Sequence, residues 1–523
     1  MPSNDRPAVS IADQRRSQRR LLLAAGLLPV AASACAKKPC ANATVGESDQ
    51  IARVLVGSNR VKPIAPSFFG FNFEVFDVQR SFWNETDQAP LTQPLELMRA
   101  FPGAVYRFPG GTIANHYDWR AGVGEHAQRP AYRIADWHGP WQNSMGLAEY
   151  LAWVRAVDGE VWYVLNLFGR FRDERSLDGL KDDARELVSA LRRLDPKPDQ
   201  GVLRWELGNE LDRDVYEWRP EKYIARARAV GGALRQADPQ APIVLMMQDY
   251  PALEAKAGIS VKDYNSQILR SLGDLSIEYS RHLYYDDPPN GPYLPVIINW
   301  LCDSVTLLDQ ASAAQDASIW ITEHARWPGE VKGKSWESQW FKTANLAAAI
   351  SVADLMIAIT QLRRVRSGFV HSIHGSSGPW PLLHRLDDGQ FIGSAVYLGL
   401  RVLREHLLDQ VLATETLSTR LSAYPGGYDV RASMMTSADG RRHALWAINR
   451  YARPVTIELT LPALAGRRLD LGRSFISGPT PERDNYRGQV IDIQRDQVSA
   501  TFDANGMTRL SLPGNAVVGL STR

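Results

Sequence analysis

Two segments of the chain end an apolar run on a glutamate. The first, "LRWELGNELD" at residues 203–212, holds Glu206 and Glu210 with a Gly-Asn pair before the second glutamate. The other, "IWITEHARW" at residues 319–327, holds Glu323. Glycosidic cleavage needs two such carboxyl groups, because one protonates the leaving oxygen while the other attacks the sugar or activates a water. Glu210 and Glu323 are therefore candidates for a catalytic pair.

Glu206 calls for a different interpretation. In a continuous strand it would lie about 13 Å below Glu210 on the same face. Only the upper carboxylate would then reach a substrate at the strand end. A buried carboxylate needs a partner, and Arg107 in "YRFPGG" is the candidate. The sequence predicts a buried pair of Arg107 and Glu206 beneath the site.

The elements that position these glutamates alternate between short apolar runs and longer amphipathic segments, which indicates strands separated by helices. Eight such strands with helical crossovers predict a (β/α)8 TIM barrel, whose site is lined by the C-terminal strand ends. The candidate strands are residues 68–76, 104–111, 161–168, 203–210, 242–248, 277–285, 319–325 and 368–375.

The pattern changes after about residue 400. Val455, Ile457, Leu459 and Leu461 alternate with polar residues, which is the period of a half-buried strand. Together with turns such as "YPGGYD", this predicts a β-sandwich domain. The predicted organisation is an export signal at 1–35, a linker at 36–50, a strand at 51–61 that joins the sandwich, the barrel at 62–400 and the sandwich at 401–523.

The first residues resemble an export signal. Four arginines between residues 15 and 20 precede "LLLAAGLLPVAA", a run too short to span a bilayer. "RRLLLAAG" resembles a twin-arginine signal, and "AASAC" resembles a lipobox in which Cys35 would be acylated. The alternative is a plain secretory signal with an incidental cysteine. Either way the expected location is the periplasm or the cell surface.

Composition excludes other classes of function. The chain of 523 residues is 44% hydrophobic and 23% charged, as in ordinary globular proteins. Removal of the signal, with its five arginines and two aspartates, changes the net charge from +2 to −1. Nothing then favours a nucleic-acid partner, and membrane contact is expected only through an acylated Cys35. With only Cys40 and Cys302 left, no disulfide framework is expected, and the chain carries no signal for an oligomeric state.

Several motifs together resemble one enzyme family. "RFPGGTIANHYDWRAGVG", "WELGNE", "HLYY" and "ITEHA", in that order, are similar to the clan A retaining glycoside hydrolases, and most to the family 51 α-L-arabinofuranosidases. The resemblance runs from about residue 51 to the end. It implies that Glu210 is the general acid/base and Glu323 the nucleophile of a double displacement. That mechanism requires carboxyls about 5 to 5.5 Å apart and an acid whose pKa is raised by burial and by its ionised neighbour.

The resemblance also implies how the sugar is held. Asn209 would hydrogen-bond the 2-hydroxyl, and Glu74 would bind other hydroxyls. Tyr284 would donate to the nucleophile, while His282 would position the acid/base. Arg107 would also reach Glu323 and keep it ionised. Trp380 is expected to stack on the sugar, whereas Trp119 and Trp327 are expected to pack within the protein. The resemblance implies no cofactor and no metal.

Two departures fall where the family recognises its sugar. Thr112 stands where the family usually has an asparagine, so an amide donor is lost. "FEVFD" also lacks the His or Asp that usually follows the first-strand glutamate. Another clan A specificity, such as a β-xylosidase or a β-glucuronidase-like enzyme, therefore stays open. A uronic acid would need a cation, for which the candidates are Arg120, Arg281 and Arg326.

Two other classes of protein are weighed against catalysis. A lipoprotein that only binds glycans would gain nothing from two carboxylates that share a small site at an electrostatic cost. A metalloenzyme is suggested by His371, His374 and His384, but their spacing matches no known ligand motif. A carbohydrate substrate is the expected partner.

Overall fold

The computed structural model describes most of the chain after residue 50. The described ranges are residues 51–135, 139–171, 173–213, 216–249, 258–286, 292–311, 316–329, 331–375, 378–418, 424, 428–486 and 490–522. The predicted export signal and linker, with Cys35 and Cys40, lie outside them.

A closed barrel of eight parallel strands forms the larger part of the fold. Each strand pairs with the next one along the chain, and the last pairs with the first. The predicted (β/α)8 barrel is confirmed, because each predicted run overlaps one of these strands. After β1 (Ile51–Pro63) they are β2 (Phe69–Asn72), β3 (Val105–Phe108), β4 (Glu160–Leu165), β5 (Arg204–Leu207), β6 (Ile243–Met246), β7 (Glu278–Tyr285), β8 (Ser318–Arg326) and β9 (Val365–Val370).

Helices cover the outside of the barrel. The helix Leu177–Leu194 shows how they pack. Every third or fourth residue in it is buried and apolar (Leu180, Ala184, Leu187 and Leu191), which gives one apolar face for the strands beneath. Ser176 caps its first turn by accepting from the amide of Gly179. The helices are α1 (Val75–Phe82), α2 (Thr92–Met98), α3 (Leu147–Ala156), α4 (Leu177–Leu194), α5 (Pro220–Ala237), α6 (Val261–Leu272), α7 (Leu294–Gln310), α8 (Leu346–Thr360) and α9 (Ala395–Glu405).

Short elements lie in the connecting loops. Single 3-10 turns occur at Pro66–Phe68, Thr112–Asn115, Trp119–Gly122, His126–Gln128, Pro198–Gln200, Glu337–Thr343 and Pro462–Leu464. Pairs of two- or three-residue strands join Trp83–Asn84 to Ala89–Pro90, Ala131–Tyr132 to Trp141–Gln142, Gly169–Arg170 to Asp173–Glu174, and Leu383–Arg385 to Phe391–Gly393.

The second domain is one continuous sheet of nine strands. Besides β1 it contains β10 (Gln410–Leu417), β11 (Val430–Thr436), β12 (His443–Asn449), β13 (Val455–Thr460), β14 (Arg468–Ser477), β15 (Gln494–Thr501), β16 (Met507–Leu512) and β17 (Ala516–Thr522), in the order β15-β14-β17-β12-β11-β10-β1-β13-β16. Strand β1 runs antiparallel to β10 and parallel to β13. Leu445 and Leu459, from opposite halves of the sheet, line one apolar interior. The two layers of the predicted sandwich are therefore halves of a single curved sheet.

The two domains share a buried boundary. Trp446 and Val517 on the outer face of the sheet belong to the same apolar core as α8 and α9. The predicted domain boundary at residue 400 falls inside α9, which continues to Glu405. That helix is therefore both the last barrel helix and a support for the sheet.

The barrel interior is layered. Near the bottom, Trp162 lies with its ring centroid 5.1 Å from Trp320 and 4.9 Å from Phe369, which closes the lower end with apolar side chains. Above them the indole N–H of Trp162 donates to Glu206 at 2.8 Å. Polar side chains therefore begin midway up the barrel. The site above them lies over an apolar layer.

No described helix is, by itself, long and apolar enough to cross a membrane. Only the turn Glu337–Thr343 together with α8 passes such a test, and the two are bent by 53° at their junction.

Candidate active site

The Gly-Asn-Glu sequence forms a tight turn at the end of β5. The strand ends at Leu207, so the predicted extended path to Glu210 is wrong. Gly208 has φ +81°, and a Cβ there would lie 2.6 Å from the side chain of Leu211. Glu210 itself has φ +48°, a conformation that few residues other than glycine adopt. The turn directs the Glu210 carboxylate over the barrel mouth.

Arg107 lies at the centre of the barrel with no exposed surface. Its Nε donates to Glu206 at 2.6 Å, one Nη donates to Asn72 at 2.8 Å, and the other donates to Asn209 at 2.8 Å. Burial raises the pKa of Glu206, but the Arg107 charge and hydrogen bonds override burial and lower it. The predicted pair is present. Arg107 was also expected among the substrate-binding residues, but its burial makes it a support for them.

A β-bulge in β8 brings two consecutive side chains inward. Residues 281 and 282 of β7 pair with residues 321 and 323 of β8, which leaves Thr322 as an extra residue. The Thr322 hydroxyl contacts Glu206 at 3.0 Å, and Glu323 reaches Arg107 at 3.4 Å. The bulge therefore places Glu323 at the level of the barrel mouth directly above Thr322.

Glu323 is held from several sides. Oε1 accepts a hydrogen bond from the Tyr284 hydroxyl, and Oε2 accepts from Arg107. The rings of His282 and His371 each place a nitrogen 3.7 Å from the carboxylate. Its side chain is 6% exposed. These contacts fix the orientation of Glu323.

Glu210 is held through one oxygen. Oε1 lies 2.8 Å from Nδ1 of His282 and accepts from Arg213 at 3.0 Å, while its side chain is 17% exposed. Burial raises the pKa of Glu210, but Arg213 and His282 outweigh burial and lower it below its usual range. The prediction of a raised pKa is therefore wrong for the free protein, because Arg213, which was not foreseen from the sequence, acts together with the expected His282. No described residue donates to Oε2, which is left for a ligand.

Glu210 and Glu323 face each other. One oxygen of each carboxylate and one nitrogen of His282 all lie within 4.8 Å of one another. Among the described residues this is the one cluster with the geometry of a metal site, but two guanidinium groups already neutralise it. His371, His374 and His384 do not form such a cluster, and His374 is bonded to the carbonyl of Pro379 at 2.9 Å.

The protonation of His282 follows from its neighbours. The ionised Glu206 can only accept, so the Thr322 hydroxyl donates to it and accepts in turn from Nε2–H of His282 at 3.1 Å. Burial lowers the pKa of His282, but Glu323 and Glu210 outweigh burial and raise it. The remaining nitrogen, Nδ1, therefore shares a proton with Glu210.

Asn209 presents a free donor to the site. Its side-chain oxygen accepts from Arg107, and its backbone is held on both sides by the Asn115 amide, at 2.6 and 3.3 Å. Its Nδ2 is buried without a partner among the described residues. This matches the donor that the resemblance assigns to a sugar hydroxyl.

Glu74 lies on the opposite side of the site, where the chain passes from β2 to α1. Gly110 (φ +83°) packs so closely that a Cβ would lie 2.6 Å from the Glu74 Cα, which explains the Pro-Gly-Gly loop. Burial raises the pKa of Glu74 well above its usual range, and the charges of Asp77 and Glu323 raise it further. Burial and these charges thus favour the protonated form of Glu74, which can donate a hydrogen bond. Thr112 follows the same loop and is half-buried.

An aromatic wall borders the nucleophile. The Trp380 ring centroid lies 5.3 Å from that of Tyr284 and 5.1 Å from that of His371, while its indole N–H donates to the carbonyl of Arg326 at 2.7 Å. Trp327 packs on Tyr284 at 5.3 Å. It therefore belongs to this wall, although it was expected only to pack within the protein. Trp119 lies elsewhere, beneath Arg120.

The arginines considered for a uronic acid have other partners. Arg120 pairs with Glu186 of α4 at 2.5 Å. Arg281 is buried against Asp249. Burial lowers the pKa of Arg326, and the charge of Asp286 opposes that shift.

Four contributors to the site were not singled out from the sequence, namely Asn72, Asn115, Arg213 and Thr322. His371 was considered only as a metal ligand, but it lies beside both Glu74 and Glu323. Arg213 carries a usable signal, since it stands three residues after Glu210 with the opposite charge. The others depend on turns and on a bulge that the sequence pattern does not specify.

Comparisons with known proteins point to one group of enzymes. The family model "Alpha-L-arabinofuranosidase 1 domain" matches residues 97–285, which include Arg107, Asn209 and Glu210. The chain resembles the family 51 α-L-arabinofuranosidases. A probable α-L-arabinofuranosidase C of Aspergillus fumigatus is 30% identical over 164 residues, 30% of this chain and 32% of that protein. An intracellular exo-α-(1→5)-L-arabinofuranosidase of Streptomyces lividans is 28% identical over 37% of this chain and 29% of its own length. The matched segments thus span about a third of these relatives.

Solved structures match over a larger part of the chain. The family 51 enzyme of Thermotoga petrophila aligns with a TM-score of 0.73 at 17% identity, over 90% of this chain and 100% of that one. The α-L-arabinofuranosidase of Thermotoga maritima aligns at 0.72 and 16% identity, over 90% of this chain and 99% of its own. At such identity the likeness establishes the fold.

Replacing Arg107 tests the buried network. Arg107→Met removes the cation beneath Glu206 and Glu323, so we expect the free energy of unfolding to fall by about 3 to 5 kcal/mol. Urea unfolding measures the change. Arg99→Met, on the protein surface, is the matched control and should cost well under 1 kcal/mol. A similar small loss for Arg107→Met would mean that other donors neutralise both carboxylates.

Proposed function

We propose that this protein is a retaining glycoside hydrolase of the α-L-arabinofuranosidase type. The observation that carries the proposal is the approach of Glu210 and Glu323 to within 4.8 Å through their oxygens. Inverting enzymes hold their carboxyls about 6.5 to 9.5 Å apart to admit a water, whereas retaining enzymes hold them about 5 to 5.5 Å apart. The close pair therefore favours direct attack on the sugar.

The contacts of the two glutamates support a separate role for each. Glu323, held in place by Tyr284 and Arg107, attacks the anomeric carbon. Glu210 delivers a proton to the leaving oxygen from Oε2, to which no described residue donates. In the second half of the cycle Glu210 takes a proton from the water that releases the sugar. Asn209 and Glu74 supply hydrogen bonds to sugar hydroxyls.

A panel of aryl glycosides tests which sugar the enzyme prefers. The names of the relatives and the match of residues 97–285 support an α-L-arabinofuranoside as substrate. We expect kcat/KM for the aryl α-L-arabinofuranoside to exceed that for the β-xyloside, β-galactofuranoside and β-glucuronide by at least about tenfold, a difference of about 1.4 kcal/mol in transition-state binding. Higher activity on the xyloside or the glucuronide would leave the retaining mechanism in place and change the sugar.

The two glutamates give separate signatures. Glu323→Ala should lower kcat by at least about 10⁴-fold, and azide should restore turnover with a glycosyl azide of inverted configuration, because the nucleophile is gone. Glu210→Ala should spare substrates with good leaving groups, which need little protonation, and azide should give the retained product. Product configuration is read by NMR. Glu221→Ala, on the surface of α5, is the control. Unchanged rates in both site variants would favour a glycan-binding protein.

We also propose that the protein is exported and anchored by a lipid on Cys35. The support is the arginine-rich start, the apolar run and the "AASAC" sequence. Mass spectrometry of the mature protein should find a diacylglycerol-modified N-terminal Cys35, and Cys35→Ser should release the protein from the membrane fraction. A mature chain cut elsewhere, without lipid, would indicate a plain secretory signal.

A further inference from the structure

We propose that Arg213 is a positioning residue that controls how readily Glu210 takes up the proton it must deliver. The inference rests on the proposed function and concerns the acid half of that reaction. It is carried by the contact of Arg213 Nη2 with Oε1 of Glu210 at 3.0 Å, between side chains that are 9% and 17% exposed.

The turn at the end of β5 fixes this contact. The amide of Arg213 donates to the carbonyl of Glu210 at 3.0 Å, so backbone and side chain of the two residues are joined within one turn. The arginine therefore reaches its partner without a long, mobile connection. At an almost buried position such a charge pair is weakly screened by solvent and salt.

Two carboxyl groups lie behind Arg213. Asp249 Oδ2 lies 3.8 Å from the same Nη2, and Asp249 Oδ1 is already engaged by the buried Arg281. Asp212, beside Arg213 in the turn, has its pKa raised to about 7 by burial. Of the carboxylate contacts that this Nη2 makes with described residues, the one with Glu210, at 3.0 Å, is the shorter.

The other groups around Glu210 come from four barrel strands. His282 on β7 and Arg107 on β3 add to the positive charge, while Glu323 on β8 opposes it. Glu74, after β2, has its pKa raised by burial, which favours its protonated form. Among the three cationic neighbours, His282 can itself give up a proton, whereas a guanidinium stays charged. Arg213 differs from Arg107 because it touches Glu210 directly.

The consequence is a limit on acid catalysis. An opposite charge in contact lowers the pKa of a carboxyl by about one to three units. Glu210, His282 and Glu323 exchange protons as one coupled set. When kcat/KM is plotted against pH, its fall at high pH, the basic limb, reports the loss of the last proton from that set. Arg213 lowers the proton affinity of the set, so it moves that limb to lower pH.

The test compares Arg213→Gln with Arg213→Lys. In Arg213→Gln we expect the basic limb of kcat/KM, measured on a phenyl α-L-arabinofuranoside, to rise by at least about one pH unit. Arg213→Lys keeps the charge and should retain the wild-type limb. A dinitrophenyl glycoside, whose leaving group needs no proton, should respond less. Arg219→Gln, an exposed arginine of the same loop, is the control and should leave the limb in place.

A second measurement does not depend on turnover. Infrared difference spectra between each protein and its Glu210→Gln counterpart isolate the Glu210 carboxyl band, and its titration midpoint should rise in Arg213→Gln by a similar amount. If no aryl glycoside is hydrolysed, the proposed function fails, while this titration still decides the role of Arg213. The proposal is overturned if Arg213→Gln folds and changes neither the basic limb of the pH profile of kcat/KM nor the titration midpoint of Glu210. Equal shifts in Arg213→Gln and Arg213→Lys also overturn it, because charge would then not be the cause.

A second variant, with an expected shift in the opposite direction, tests the proposal if Arg213→Gln does not fold. Asp249→Asn removes the carboxylate behind Arg213 and leaves more of its charge directed at Glu210. The Glu210 midpoint should then fall, and the basic limb should fall with it. A rise, or no change, in Asp249→Asn contradicts the proposal.

Discussion

The buried guanidinium of Arg107 is the interaction on which the rest of the site depends. It joins Asn72 at the end of β2, Glu206 on β5 and Glu323 on β8, so one cation ties three strands together across the barrel axis. Burial of these charges is costly unless each has partners, and here each does. Arg107 also donates to Asn209, so the same guanidinium holds the turn that carries Glu210. Both catalytic candidates are thereby placed by a group that no substrate touches.

The layer beneath Arg107 makes this arrangement effective. Trp162, Trp320 and Phe369 close the barrel from below and exclude water, and Trp162 also donates to Glu206. In such dry surroundings hydrogen bonds and charges act more strongly than at the surface. Burial also raises the pKa of Glu74, whereas charged partners lower that of Glu206, so the pKa values of carboxyl groups in one site are moved in opposite directions.

The sequence was informative where a pattern follows directly from burial. Each barrel strand is an apolar run, and a charged residue at its end can only lie at the mouth, so Glu323 and the pair of Arg107 with Glu206 could be predicted. The protonation of Glu210 could not, because it depends on Arg213 and on the positive φ of the turn. Thr322 was missed for a similar reason, since a bulge changes the alternation of side chains without a clear sequence signal. The single curved sheet was also hidden, because strand order is set by long-range pairing.

The two glutamates show how position divides one chemistry into two tasks. Glu323 lies on a strand and accepts hydrogen bonds from Tyr284 and Arg107, which hold the nucleophile in a fixed orientation. Glu210 lies on a turn, with Oε1 held by His282 and Arg213 and with no described residue donating to Oε2. A general acid/base must gain and lose a proton in every cycle, and His282 lies where it can share that proton, with its far nitrogen committed to Thr322. The bulge that supplies Thr322 therefore affects both carboxylates. It places Glu323 at the barrel mouth, and through Thr322 it fixes the tautomer of His282 beside Glu210.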